Sequence, residues 1–121
     1  MPNPRYRELE VWQDAMELSL KTYKYLESFP SSEKFGLIDQ IKRCVVSIPS
    51  NIAEGAGRST FKDFTHFLYI ARGSLFELST QLELSYNLGM GDKKQNEVLQ
   101  SSIDSIGKKL HNLIKFNKAK S

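Results

Sequence analysis

Apolar residues recur every three or four positions through most of the chain, a spacing that predicts amphipathic helices and requires no strand. Turn residues divide this pattern into four segments at about residues 7–28, 32–55, 60–88 and 92–116. We expect the tail at 117–121 to fray. Short connections between the segments favour an all-α fold, an up-down-up-down antiparallel four-helix bundle that forms a single domain over residues 1–121.

The first predicted helix carries two apolar stripes, more than one buried face requires. The first stripe consists of Leu9, Trp12, Met16, Tyr23 and Leu26. The second is interrupted at Thr22 and consists of Val11, Ala15, Leu18 and Tyr25. We attribute the excess apolar surface to contact with another subunit. Further apolar residues beside the core of the third helix support the same expectation, namely Phe67, Ile70, Leu84 and Leu88.

The second predicted helix contains a proline. Its apolar face comprises Leu37, Ile41, Val45, Ile48 and Ile52. Pro49 removes one backbone hydrogen bond and crowds the carbonyl four residues earlier. The sequence therefore predicts a kink or break between Val45 and Pro49.

The third and fourth predicted helices have continuous apolar stripes. The stripe of the third helix comprises Phe64, Leu68, Ala71, Leu75, Leu78 and Leu82. The stripe of the fourth comprises Leu99, Ile103, Ile106, Leu110 and Leu113. Hydroxyl and carboxylate caps are expected near Thr60 and at Asp92. Gly73, inside the third helix, predicts a close contact with a neighbouring helix.

A polar seam adjoins the apolar face of the second helix. Its members share one side of that helix and are Gln40, Arg43, Ser47, Asn51, Glu54 and Arg58. The third helix carries a matching set, Asp63, Ser74, Glu77 and Gln81. Antiparallel pairing would bring Glu77 within about one turn of Arg43. Two interpretations stay open: a structural network that fixes helix register or a subunit contact, and a ligand or RNA surface.

Charge is distributed unevenly along a chain of otherwise ordinary globular composition. The 121 residues are 40% hydrophobic and 26% charged, with a net charge of +3. Residues 1–92 hold 10 basic and 12 acidic residues, whereas residues 93–121 hold 7 basic and 2 acidic ones. The basic end is suited to an acidic partner such as RNA, or it serves to keep the tail soluble.

Few residues are available for catalysis or metal binding. One cysteine, Cys44, and two histidines, His66 and His111, exclude an internal disulfide and leave too few ligands for common metal sites. We expect no cofactor, no metal and no enzymatic activity. No apolar run reaches the roughly 18 residues that span a bilayer, so we expect a cytoplasmic protein without membrane contact.

The glycine-rich segment 55–60, Gly-Ala-Gly-Arg-Ser-Thr, is only superficially similar to a phosphate-binding loop. It has Arg58 where that loop requires lysine, and no strand precedes it. A structural turn and a contact to RNA phosphate are the remaining interpretations.

Several motifs resemble a known bacterial family. The most specific is the string Ser-Ile-Pro-Ser-Asn-Ile-Ala-Glu-Gly at 47–55, followed by Arg58. The segment 67–78 and the spacing of Leu9, Trp12 and Ala15 add to it. Over about residues 6–90 the chain resembles the four-helix-bundle proteins encoded in intervening sequences of the 23S rRNA gene. It is also similar to accessory proteins of diversity-generating retroelements, which work beside a reverse transcriptase.

This resemblance implies a non-enzymatic homo-oligomer, commonly a pentamer, with basic surfaces directed toward structured RNA or other nucleic acid. The candidate nucleic-acid-binding residues are Lys42, Arg43, Arg58, Lys62, Arg72, Lys108, Lys109 and Lys115. The alternative function is a protein-interaction scaffold, or an accessory subunit for a protein partner such as a reverse transcriptase, with no nucleic-acid role of its own.

Overall fold

The computed structural model describes residues 5–121. In that range the chain forms four α-helices and no strand. The helices are α1 (Glu10–Leu26), α2 (Leu37–Ala56), α3 (Phe61–Asn87) and α4 (Lys93–Lys120). Each packs against its neighbours in sequence and α1 also packs against α4, whereas no diagonal pair approaches closely in the described range. The predicted up-down-up-down four-helix bundle is confirmed.

Side-chain caps fix the starts of α3 and α4 where the sequence predicts them. Thr60 Oγ1 accepts a hydrogen bond from the Asp63 amide at 3.1 Å, and Asp92 Oδ2 accepts one from the Gln95 amide at 2.9 Å. Each cap satisfies an amide that lacks a partner within its helix.

The second helix begins later than predicted. Residues 31–33 form a separate 3₁₀ turn, and α2 begins only at Leu37. Gly36, just before it, has φ −109° and ψ −109°, which lies outside the helical region. The Glu33 carboxylate then accepts a long hydrogen bond, 3.4 Å, from the Leu37 amide.

The expected fraying of 117–121 is wrong for all but the last residue, since α4 continues through Lys120. Ile114 and Asn117 are buried, at 4% and 1% exposure. The Phe116 ring meets the Phe61 ring edge-on, with centroids 6.5 Å apart. These tertiary contacts hold the last turns of α4 against the start of α3, and a sequence pattern does not reveal them.

The bundle core contains the predicted stripes of α2, α3 and α4, except that Leu37 and Leu113 are only partly buried beside it. Helix α1 turns its second stripe inward. Val11, Ala15, Leu18 and Tyr25 are buried, and Thr22 fills the gap between them at 0% exposure. In the first stripe, Met16 and Tyr23 remain partly exposed. The excess apolar surface of α1 therefore includes Met16 and Tyr23 of the first stripe, whereas Leu26 of that stripe joins the core. Both stripes have helical spacing, so periodicity alone could not choose between them.

No break occurs at Pro49, because α2 is continuous from Leu37 to Ala56. Proline has no amide hydrogen for the Val45 carbonyl, which would normally accept its bond. Ser19 Oγ, on α1, lies 3.3 Å from that carbonyl oxygen and donates to it, while also lying 3.0 Å from the Ala15 carbonyl oxygen. A hydroxyl from the neighbouring helix thus compensates for the bond that α2 cannot make internally.

The close helix contact expected at Gly73 lies instead at Gly55. A Cβ atom at Gly73 would meet no atom within 4 Å, whereas one at Gly55 would lie 2.7 Å from Phe67 Cβ and 3.2 Å from the Phe64 carbonyl oxygen. The last turn of α2 therefore packs directly against α3. Gly73 is exposed and does not contribute to this packing.

Candidate nucleic-acid interface

A groove of about 660 Å³ runs between α3 and α4 on the outside of the bundle. Gly107 and Ile103 of α4 form part of its surface. Its remaining lining is polar, charged or aromatic and consists of Arg72, Phe76, Ser79, Asp104, Lys108, His111 and Asn112. We define this as the α3–α4 groove.

Helical spacing brings cations to the groove and its extension along the same side of the bundle. On α4, Lys108, His111, Lys115 and Lys118 follow one another at intervals of three or four residues and so share a face. On α3, Arg72 lines the groove, and Lys62, ten residues earlier, is exposed about 80° away around the helix. We call Lys62, Arg72, Lys108, Lys115 and Lys118 the basic stripe.

Most of the basic stripe is free to meet an external anion. Lys62, Lys108 and Lys115 are exposed, and none forms an ion pair or hydrogen bond within residues 5–121. The Arg72 guanidinium lies over the Tyr69 ring, 4.9 Å from its centroid. Lys118 Nζ lies 3.5 Å from the hydroxyl oxygen of the same tyrosine. Tyr69 therefore holds two cations side by side without neutralising either.

Cross-helix contacts fix the groove at both ends. At one end, the Ser79 hydroxyl donates to Gln100 Oε1 at 2.7 Å, and Gln100 Nε2 donates to the Ser79 carbonyl at 3.0 Å. At the other end lies the contact between the Phe61 and Phe116 rings. These contacts set the register of α3 against α4 and hold the two sides of the stripe at a fixed separation.

Four of the predicted nucleic-acid-binding residues lie outside the basic stripe. Arg43 Nε donates to Asp39 Oδ2 at 2.9 Å, and Arg58 donates to Glu54 Oε1 at 3.0 Å. Lys42 lies over the ring of Tyr23, 4.9 Å from its centroid.

The fourth of these residues, Lys109, pairs with carboxylates of α1. Its ammonium group donates to Glu10 and Asp14. The hydrogen bonds that it donates to Asp14 and then to Glu10 raise the pKa of Lys109, because they favour the protonated form. Lys109 thus joins α4 to α1, while its neighbour Lys108 faces the groove.

The polar seam of α2 makes most of its hydrogen bonds within its own helix. The Ser47 hydroxyl donates to the Cys44 carbonyl, and Asn51 Nδ2 donates to the Ser47 carbonyl, each at 2.7 Å. Gln40 is exposed on the same helix. Gln81 of α3 has a buried side-chain oxygen without a hydrogen-bond partner in the described part of the chain.

The contact between α2 and α3 on this side centres on Cys44, which is buried. Its thiol donates to the Ser74 carbonyl at 3.0 Å. Burial, then a hydrogen bond with Glu77 and the charge of that carboxylate, raises the pKa of Cys44 to about 12. Glu77 therefore faces the residue next to Arg43, whose guanidinium is paired with Asp39.

A second depression lies between α1 and α2, with a volume of about 470 Å³. It is predominantly apolar, and its side chains include Trp12, Met16, Leu20, Tyr23 and Val46. Leu20 is 72% exposed and Val46 43% exposed. We call this the α1–α2 apolar face; it contains Trp12, Met16 and Tyr23 of the first stripe of α1 together with Val46 and Pro49 of α2.

Two kinds of feature are absent from residues 5–121. No group of three or more histidine, cysteine or acidic side chains is placed to hold a metal ion in this range. None of the helices in this range is both long and apolar enough to cross a membrane.

Comparison with known proteins places the chain in a family. The family described as 23S rRNA-intervening sequence protein matches residues 7–112. The chain belongs to this family. The match extends beyond the predicted 6–90 and includes most of α4, with the groove residues Lys108, His111 and Asn112.

A solved structure supports the 23S rRNA-intervening sequence protein assignment. It is the crystal structure of a protein of unknown function from the S23 ribosomal protein family of Bacteroides thetaiotaomicron VPI-5482. The two chains are 28% identical and superpose with a TM-score of 0.77, covering 87% of this chain and 95% of the other. No curated protein matches the sequence.

Part of the interface could be recognised only from the structure. Tyr69, Phe76 and Asn112 were not candidates, because aromatic and amide residues at helical spacing usually serve packing or solvation. The three-four spacing of Lys108, His111, Lys115 and Lys118 was the available signal.

Proposed function

We propose that this member of the 23S rRNA-intervening sequence protein family is a non-catalytic, cytoplasmic RNA-binding protein, which holds RNA phosphates along the basic stripe. The observation that carries the proposal is the grouping of five cations on one side of the bundle, none of which forms an ion pair with a carboxylate within residues 5–121. Asp104 is the one carboxylate among the groove residues.

Phosphate contacts explain why these cations suit RNA. Lysine and arginine gain affinity for RNA chiefly by neutralising phosphates and releasing counterions, an effect that does not depend on sequence. Arg72 adds a planar guanidinium able to donate two parallel hydrogen bonds to one phosphate. The rigid α3–α4 register keeps these charges at fixed spacing, so binding of structured RNA requires little ordering of the protein side of the interface.

We also propose that the protein is a homo-oligomer, a pentamer by family resemblance, assembled through the α1–α2 apolar face. That face lies across the bundle from the basic stripe, so assembly through it leaves the stripe accessible. Several stripes on one assembly would raise the apparent affinity for an RNA long enough to reach two of them.

The mass of the intact assembly, measured by native mass spectrometry, gives the number of subunits and so tests this proposal. We expect Leu20→Glu to dissociate the oligomer, because it buries a charge in an apolar contact. The control Phe35→Glu introduces the same negative charge at a side chain that is 90% exposed and lies outside this face. A wild-type monomer, or equal dissociation by both variants, would contradict assembly through this face.

RNA binding is tested by the anisotropy of a labelled RNA hairpin with an unpaired loop, at about 50 mM salt where phosphate contacts are strong. We expect Arg72→Gln/Lys108→Gln to bind at least tenfold more weakly than wild type, since two phosphates are no longer neutralised. The control Lys93→Gln/Lys94→Gln removes the same charge about 21 Å along α4 from Lys108 and should retain most of the affinity.

The α1–α2 apolar face also supports a second candidate function, a scaffold that presents this surface to a partner enzyme. The same binding experiment separates the two candidates. If wild-type protein fails to bind the hairpin at low salt and a protein partner co-purifies in stoichiometric amount, the scaffold function replaces RNA binding.

A further inference from the structure

Phe76 is the most unexpected residue of the α3–α4 groove. Its side chain is 58% exposed, and it contacts no other aromatic ring within residues 5–121. Arg72 lies one turn before it on α3, and Lys108 and His111 line the same groove from α4. An exposed ring among cations contributes little to folding, so its surroundings point to a ligand that combines a flat apolar surface with negative charge.

The space around Phe76 is suited to such a ligand. Gly107, on the opposite helix, carries no side chain, and a Cβ atom there would have Leu75 Cδ2, at 3.6 Å, as its neighbour. The glycine therefore leaves room in the groove without being required for helix packing. The volume of about 660 Å³ lies within the usual range of small-molecule sites.

Asn112 supplies hydrogen-bonding groups beside the ring. Its amide lines the groove, is exposed, and makes no hydrogen bond in the described range. An amide can donate and accept at once, as the edge of a nucleobase requires. The groove thus combines an aromatic ring, a free amide and two cations, Arg72 and Lys108.

We propose that the α3–α4 groove binds a single-stranded segment of RNA, with an unpaired base stacked on Phe76 and the flanking phosphates held by Arg72 and Lys108. This inference rests on the proposed RNA-binding function and specifies the form of RNA. A base within a duplex is already stacked on both faces and is not available to the ring, whereas an unpaired base is. Asn112 contacts the edge of the stacked base.

The experiment compares a single-stranded oligoribonucleotide containing 2-aminopurine with the same strand annealed to its complement. Stacking on an aromatic ring changes the fluorescence of 2-aminopurine, so the signal reports the contact itself. We expect the single strand to bind more tightly than the duplex and its fluorescence to change on binding.

Phe76→Ala should weaken binding of the single strand by about 5- to 150-fold, the range found when an aromatic ring that stacks a base is removed, and should abolish the fluorescence change. Alanine is a strong helix former and Phe76 is exposed, so the variant should keep its helical circular dichroism. The control Phe35→Ala removes an even more exposed ring outside the groove and should bind as wild type does.

The outcomes separate this inference from the proposed function. If duplex and single strand bind equally and Phe76→Ala changes neither affinity nor fluorescence, while Arg72→Gln/Lys108→Gln weakens both, the stacking inference fails and RNA binding stands. If wild-type protein binds neither RNA at low salt, the proposed function fails, and the stacking inference fails with it.

Discussion

Two glycine-to-alanine substitutions should change stability in opposite directions, because the two glycines differ in their surroundings. A Cβ atom at Gly55 would lie 2.7 Å from Phe67 Cβ and 3.0 Å from Phe64 Cδ1. Carbon atoms pack best at about 3.5–4.0 Å, so α2 and α3 would have to separate by roughly 1 Å. At Gly73 the same atom would meet nothing within 4 Å.

The magnitudes follow from packing and helix propensity. Overpacking a core contact costs about 1–3 kcal/mol, and alanine recovers less than about 1 kcal/mol at Gly55, since this residue lies in the last turn of α2. We expect Gly55→Ala to lower the free energy of unfolding by about 1–2 kcal/mol. Gly73→Ala should raise it by about 1 kcal/mol, the full difference in helix propensity.

Urea unfolding, followed by the circular dichroism of the helices, measures both changes at one protein concentration. Concentration must be held fixed because assembly would otherwise contribute to the apparent stability. A stabilising effect of Gly55→Ala equal to that of Gly73→Ala would refute the close approach of α2 to α3.

Two further predictions concern contacts between helices. Ser19→Ala should lower the free energy of unfolding by about 1 kcal/mol, because it leaves the Val45 carbonyl without a donor. In a Pro49→Ala background the effect should nearly vanish, since residue 49 then donates its own amide to that carbonyl, and urea unfolding of the double-mutant cycle measures the difference. The pKa of Lys109 in the folded protein lies above its ordinary value of 10.5. The ion pairs of Lys109 therefore stabilise the fold fully below pH 10.5, and this stabilisation disappears as the pH rises through the folded-state pKa. Urea midpoints of wild type and Lys109→Gln should therefore converge above pH 10.5, and a constant gap would contradict the ion pairs with α1.

Most of the fold was predictable because apolar spacing and caps are local properties of the sequence. The stripes of α2, α3 and α4 and the caps at Thr60 and Asp92 are of this kind. The buried face of α1 was not predictable, since two stripes of similar length compete. The continuity of α2 was not predictable either. It depends on a hydrogen bond from the Ser19 hydroxyl to the Val45 carbonyl, and these residues lie 26 positions apart in the sequence.

The candidate site likewise has one part that the sequence predicts and one part that it does not. The excess of basic residues in 93–121 predicted a basic surface on α4, and Lys108 and Lys115 do lie on one outer face of that helix. Adjacent residues in a helix point about 100° apart, however, so Lys108 lines the groove while Lys109 pairs with carboxylates of α1. The sequence contains both lysines but does not show which helix lies beside each.

The salt dependence of RNA binding tests the central claim most directly. The logarithm of the association constant should fall linearly with the logarithm of salt concentration, because each phosphate contact releases counterions. Arg72→Gln/Lys108→Gln should reduce the magnitude of this slope by about 1.4, or roughly 0.7 for each single-strand phosphate that the variant no longer neutralises. A wild-type affinity that does not change with salt, or an equal slope for wild type and variant, would contradict RNA binding through the α3–α4 groove.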